Sequence, residues 1–431
     1  MNTHGSSPRR STPIARTVAL AAALTMGLTT FGLAAQAVAE PLTTTPSTAA
    51  PAPATPSAET PATDAADTEP GSPADANAGE IDARGPGQAP GAVFANRDLP
   101  RARMVAGSAG GSDFTYWSTG ADGKAHLSSA VVMVPRGQAP AGGWPIVAWA
   151  HGSRGISDKC APSERPTKDD TTELSSWLSR GYAVVSTDYA GVGTPGTPQY
   201  YDLEATARNI VDAVSAARDV SDKLSTSWAV VGEGQGAAAA ITLAKLAPQL
   251  QRGALDFKGA AATSIPAEFG ALLANIGPST ASMPSGIAAD ALYTLSAIRN
   301  ARPNLDVDSL LTDTGKRWMA KAASQCITEF RKQVDGLKIG SLFAKPVSSN
   351  TELTNLLTKA TDLPTRGFTK PVMMTQSLQD TSVVVPLTLK YLNEARADRQ
   401  VQPRTYLVLD AAQSKKLSDN DIRAFVAKIL K

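Results

Sequence analysis

Trp228–Ala240 read WAVVGEGQGAAAA. Trp228–Gly232 is an unbroken apolar run, the pattern of a strand buried on both faces. Gly232, Gly234 and Gly236 alternate with Glu233 and Gln235. Such a stretch permits a sharp turn with close backbone approach, because glycine has no Cβ to clash. The alanines that follow suit a helix packed tightly on its neighbours. The reading is strand, tight turn, helix.

The same alternation extends on both sides. Strands are expected at Ser129–Pro135, Pro145–Ala150, Tyr182–Thr187, Lys258–Ser264, Pro371–Gln376 and Thr405–Leu409. Helices are expected at Thr171–Ser179, Leu203–Asp219, Gly236–Leu246, Pro386–Ala395 and Ser418–Leu430. Continuous rather than alternating hydrophobicity, with helices between, implies an α/β fold: a mostly parallel sheet flanked by helices on both faces. Residues 266–365 interrupt the rhythm with several helical segments and no convincing strand, and read as a helical cap insertion.

Residues 1–39 have the form of a secretory signal peptide. Arg9, Arg10 and Arg16 precede an uncharged apolar run from Val18 to Ala35, and Ala37-Val38-Ala39 offers small residues for cleavage. A retained anchor is the alternative, disfavoured by the run's Thr and Gly content and its few large apolar residues. Residues 40–91 are Pro-, Ala- and Thr-rich, with almost nothing to bury, and read as a disordered tether whose Thr-Pro cluster is a candidate for O-glycosylation. Residues 92–431 then form the folded domain. No transmembrane segment is expected after signal cleavage.

Charge excludes some classes. The whole chain carries +2, which makes no case for nucleic-acid binding. Removing three arginines with the signal and eight acids with residues 40–82 leaves 38 basic against 31 acidic residues, or +7. A mildly basic body on an acidic tether suits the anionic surfaces of a cell envelope, although ordinary solubility explains it equally well. Two cysteines and three histidines cannot supply a Cys/His zinc site, and nothing points to a cofactor. Cys160 and Cys326 suit one disulfide in an exported protein, with two buried thiols as the alternative.

The turn at Gly232–Gly236 occupies the place where an α/β-hydrolase carries its nucleophile elbow, Gly-x-Ser-x-Gly. Around it the chain resembles the secretory lipase family of that superfamily. Ala148–Ser163 (AWAHGSRGISDKCAPS) is similar to the family's oxyanion-loop segment. Gly181–Pro195 (GYAVVSTDYAGVGTP) resembles its next strand and loop, and Tyr200–Ala217 the helix after that. Leu378–Pro386 (LQDTSVVVP) resembles the acid loop. The resemblance implies a lipase or esterase fold, a lipid or acyl substrate, Asp380 as the triad aspartate, and an oxyanion loop at His151, Gly152 and Ser153 facing the N–H of Gln235.

The departures are chemical. The family elbow reads Gly-His-Ser-Gln-Gly-Gly, whereas Glu233, Gly234 and Ala237 stand here in place of His, Ser and the last Gly. Gly234 has no reacting atom. The family's histidine follows the last strand, where this chain reads LVLDAAQSKKLSD, placing Gln413 or Ser414 at that position. The order in this fold is Ser, acid, His, and no histidine follows His151. Two of three triad members are therefore missing, and the expectation is an inactive relative that binds a lipid or acyl ligand, or an envelope protein partner. The rival is an active lipase or carboxylesterase with a non-standard nucleophile. For that role a His151–Ser153 dyad sits on too tight a turn, a Glu233–Asp380 carboxylate pair is less natural than packing beneath the elbow, and His126 reads as filler. Gly232-x-Gly234-x-x-Ala237 also matches a dinucleotide fingerprint, but the acid required about 20 residues on, at the end of the next strand, is absent, since Asp256 precedes that strand. Gly191-x-Gly193-x-x-Gly196 lies in a loop with Pro195 and is weaker still.

Overall fold

The computed structural model describes residues 88–407 and 410–431. The expected signal and nearly all of the tether lie outside them. Nine strands form one sheet: β1 (Val93–Asp98), β2 (Ser108–Thr119), β3 (Ala125–Pro135), β4 (Trp144–Ala150), β5 (Ala183–Thr187), β6 (Leu224–Glu233), β7 (Asp256–Thr263), β8 (Val372–Ser377) and β9 (Val401–Tyr406). Their spatial order is β1-β2-β3-β5-β4-β6-β7-β8-β9. From β5 to β9 all pairings are parallel, while β1, β2 and β3 join as an antiparallel edge.

Both faces are covered, which explains the continuous apolar strands. On one face Ile146, Ala148 and Val230 pack against α2 (Leu203–Val220) and α3 (Gln235–Leu250), through Ile210, Val214 and Ile241. On the other, Val147, Trp149 and Val231 meet Leu174 and Trp177 of α1 (Lys168–Leu178) and Phe425 and Val426 of α10 (Ala411–Ile429). Alternate residues of β4 thus feed opposite layers, as the pleat requires. Between β7 and β8 run α4 (Phe269–Ala274), α5 (Ser285–Ala301), α6 (Asp313–Ser324), α7 (Ile327–Val334) and α8 (Thr351–Ala360), and α9 (Val385–Ala395) follows β8.

Three differences from the sequence reading have physical causes. The edge strands β1 and β2 were not expected. β1 is exposed along nearly its whole length, and β2 opens on Ser, Ala and Gly and buries Phe114, Tyr116 and Trp117 among polar residues, so neither shows a continuous apolar run. β9 lies at Val401–Tyr406 rather than Thr405–Leu409. As an edge strand it tolerates Pro403 and an exposed Arg404, and the apolar residues that suggested a strand come after it. α10 begins at Ala411, well before Ser418, because the Asp410 side chain caps it by accepting from the Gln413 N–H at 3.0 Å. Its buried stripe uses Ser414 and Ser418 before Ile422 and Phe425, so the helical period is hidden from a hydrophobicity reading.

Cys160 and Cys326 form a disulfide with Cα atoms 5.4 Å apart, 166 residues apart in sequence. It joins the loop after β4 to the α6–α7 junction. In the chain-entropy account, closing so long a loop stabilises the fold by roughly 4–5 kcal/mol.

Candidate active site

The elbow is present in backbone form. Gly234 sits at φ +56°, ψ −119°, between the end of β6 and the first residue of α3. Its N–H donates to Thr263 O at 3.2 Å, and its carbonyl accepts the Ala238 N–H that closes the first helical turn. The flanking glycines are required by contact. A Cβ on Gly236 would lie 1.8 Å from Ala150 O, and one on Gly232 would lie 2.1 Å from Gly236 O. At Gly234 the opposite holds, since an added Cβ would meet only Gly152 Cα, at 3.8 Å. The space for a nucleophile's side chain is kept, and the side chain is absent.

The oxyanion loop packs against this turn. Its His151 is buried, donates from Nδ1 to Gly152 O at 2.7 Å, and stacks on Tyr189 with ring centroids 4.4 Å apart. Tyr189, itself at φ +68°, donates its hydroxyl to His151 O at 3.0 Å. Among the described residues His151 Nε2 has no hydrogen-bond partner. Burial, assisted by the Arg154 charge, lowers this imidazole to about 4, so it is neutral at physiological pH. Arg154 anchors the loop through a bidentate pair with Asp170, at 2.8 and 2.6 Å, and donates to Ser153 O at 3.0 Å. Burial alone would raise Asp170, but Arg154 and the Thr167 hydroxyl hold it well below the usual carboxylate range. Gln235, the first residue of α3, is buried, and its backbone N–H belongs to the helical turn that has no intrahelical acceptors.

Ser153 belongs to a buried polar cluster that the sequence did not reveal. The Tyr200 hydroxyl contacts both Ser153 Oγ and Asp290 Oδ1, the latter at 3.0 Å, and the Tyr201 hydroxyl donates to Asp290 Oδ2 at 3.2 Å. Burial pushes the Asp290 carboxyl up and both tyrosine hydroxyls well above their ordinary value. The cluster joins the oxyanion loop to α5. The only sequence signal was a pair of tyrosines ahead of α2. A second buried carboxyl, Asp188, accepts from Ser129 Oγ, Ser163 Oγ and Ser163 N at 2.5–2.7 Å, and burial still raises it to about 7.

Asp380 lies in the turn after β8, its Oδ1 accepting from Ser382 N at 2.8 Å and Ser382 Oγ at 2.6 Å. Glu233 is half-buried. Burial raises its carboxyl, the charges of Lys415 and Arg154 oppose that rise, and Asp380 adds to it. Elbow, acid loop and the start of α10 therefore converge electrostatically. The two positions assigned to the missing histidine diverge, with Gln413 exposed and Ser414 buried in the first turn of α10. His126 lies elsewhere, with Nε2 2.9 Å from Asp122 Oδ1. Among the described residues no cluster of His, Cys, Asp and Glu could hold a metal ion, and no helix is long and apolar enough to cross a membrane.

The sequence model of the family described as Secretory lipase matches residues 163–362. No curated protein matches the chain. Among solved structures, the chain is similar to Candida antarctica lipase A in its closed state, at 19% identity and a TM-score of 0.61, covering 74% of this chain and 77% of that one. It is similar to a ligand-bound form of the rice cell wall degrading esterase LipA from Xanthomonas oryzae, at 20% identity and 0.63, covering 76% and 93%. A putative hydrolase from Legionella pneumophila aligns at 16% identity and 0.62, covering 78% and 98%. At these identities the structural likeness speaks for the fold alone, and the family match covers just under half of the chain.

Proposed function

We propose that this protein is an exported, secretory-lipase-like pseudoenzyme. It holds an acyl or lipid ligand, or a protein partner, in the cell envelope without hydrolysing an ester. The observation that carries this reading is Gly234, where the elbow keeps its backbone and its side-chain space but has no nucleophile. The missing late histidine supports it independently. Losing a nucleophile or its base costs about 10⁶-fold in turnover, and the residual effect of an oxyanion loop is roughly 10³–10⁴ over water. The signal-like N-terminus and the Cys160–Cys326 disulfide support export.

The rival is an active lipase or carboxylesterase with a non-standard nucleophile, and the one observation in its favour is the Ser153 hydroxyl held between Tyr200 and Asp290. Against it, a phenol raised far above its ordinary value is a poor base. Turnover of short- and long-chain nitrophenyl esters separates the two. The pseudoenzyme reading predicts rates indistinguishable between the wild type and Ser153→Ala. Turnover that Ser153→Ala abolishes would establish the rival.

A further inference from the structure

A large cavity lies apart from the elbow. A cleft of about 890 Å³ opens between the β2–β3 hairpin, the Pro195–Asp202 loop and the helices α5 and α8, and neither Gly234, Gly152 nor Asp380 lines it. Tyr200 and Tyr201 form part of its wall, while their hydroxyls reach the Ser153–Asp290 cluster. The tyrosine pair therefore stands between cleft and elbow. A cavity of this size falls within the range of small-molecule sites.

Its lining is divided. Ile298, Leu356 and Leu357 make an apolar wall from α5 and α8, and Trp117 closes the far side beneath an exposed Phe94, edge-on at 5.9 Å. The same lining also includes the polar residues His126, Gln199 and Arg302. The carboxylates there are occupied locally. Asp122 accepts from His126 and from Lys124 N, and Asp202 caps α2 by accepting from Ala205 N at 2.9 Å. Arg302, just past the end of α5, forms no ion pair among the described residues. The Arg302 charge acts on the nearby Asp202 carboxylate without a direct ion pair, and an apolar wall beside such a guanidinium is complementary to a single apolar chain with an anionic head, because Arg binds carboxylate and phosphate with the same fork of donors.

We infer that this cleft, and not the elbow, is the ligand site, and that it takes a single-chain amphiphile whose carboxylate or phosphate head pairs with Arg302. The inference rests on the proposal that the protein binds without hydrolysing, and it places the ligand in a cleft that Gly234, Gly152 and Asp380 do not line. It also accounts for the survival of the fold after the elbow lost its chemistry, since the cleft owes nothing to Gly234.

The test uses the full chain and three bromine-labelled probes that share one acyl chain: a free fatty acid, a lysophosphatidic acid and an uncharged monoacylglycerol. Bromine in the cleft quenches Trp117, and Trp117→Phe removes that part of the signal. The expected result is saturable quenching by both anionic probes, with Kd raised at least tenfold in the double variant Ala301→Phe/Ala360→Phe, whose two positions are half-buried or exposed. Arg302→Ala raises Kd five- to tenfold for the anionic probes and less than twofold for the monoacylglycerol. The two anionic probes separate a free acid from a lipid phosphate as the preferred head. Absence of saturable quenching, or quenching unchanged in the double variant, would overturn the cleft assignment, and an Arg302→Ala variant with unaltered affinities would overturn the anionic head. Release of glycerol from the monoacylglycerol in the same samples would contradict the non-hydrolytic reading while leaving the cleft result standing, so the two failures are distinguishable.

Discussion

The turn at Gly234 and the segment after β9 are built differently. Around Gly234 the backbone is intact. The left-handed φ, the contact glycines Gly232 and Gly236, and the oxyanion loop held by Arg154 and Asp170 are all in place. On the histidine side, the residues at the corresponding place have become the first turn of a capped helix, with Ser414 turned into the core. The difference teaches what holds each region. The elbow is fixed by packing, because β6 and α3 cross so closely that the chain has no other route. The start of α10 is fixed instead by the Asp410 cap and by burial of Ser414.

This contrast can be broken most directly by adding methyl groups. Gly236→Ala places a carbon on Ala150 O and is expected to destabilise by about 4 kcal/mol, through overpacking against backbone that cannot yield. Denaturant unfolding checks it, and a cost under about 1 kcal/mol would mean that packing does not hold the elbow. Comparable in size is the staple. Cys160→Ala together with Cys326→Ala is expected to lower stability by about 4 kcal/mol, read as a lower midpoint of denaturant unfolding with a steeper slope, since the uncrosslinked unfolded chain exposes more surface.

The pH response tests the buried groups behind the loop. Asp188 is raised to about 7, so the folded state keeps a proton there that the unfolded chain releases near its ordinary pKa. Its contribution is fully present below the unfolded value and is lost as pH rises toward 7. Relative to Asp188→Asn, the wild type is therefore expected to lose about 2 kcal/mol between pH 5 and pH 7. A pH-independent difference would show that the carboxyl is already ionised. His151, common to both proteins, drops out of the comparison.

Smallest is Gly234→Ser, only two residues from Gly236. Its Cβ would make only an ordinary contact with Gly152 Cα at 3.8 Å, so only the positive φ opposes it, at about 1 kcal/mol. No esterase activity is expected from this change alone, since no base faces the new hydroxyl.

The legible part of the molecule was the part under packing constraint on both faces. Trp228–Gly232, Pro145–Ala150 and Tyr182–Thr187 declared parallel strands because helices cover both sides of them. Gly232-x-Gly234-x-Gly236 declared the turn because its glycines answer to contacts. What stayed hidden depends on one-sided or polar burial. β1 forms an exposed edge, β2 buries its aromatics among polar residues, α10 buries serines where a stripe of leucines would have shown, and Asp290 meets Tyr200 and Tyr201 across about 90 residues of sequence. Long-range polar pairing leaves no periodic trace. That the large cleft is lined without Gly234 belongs to the tertiary structure alone.

The central claim is that the elbow has geometry without chemistry. Its most direct test is reaction of the purified chain with a fluorophosphonate serine-hydrolase probe, followed by intact mass, beside an active lipase. The account predicts no covalent adduct on the wild type at probe concentrations that saturate the active enzyme. A stoichiometric adduct that a single substitution at Ser153 or another residue of this site removes would contradict it.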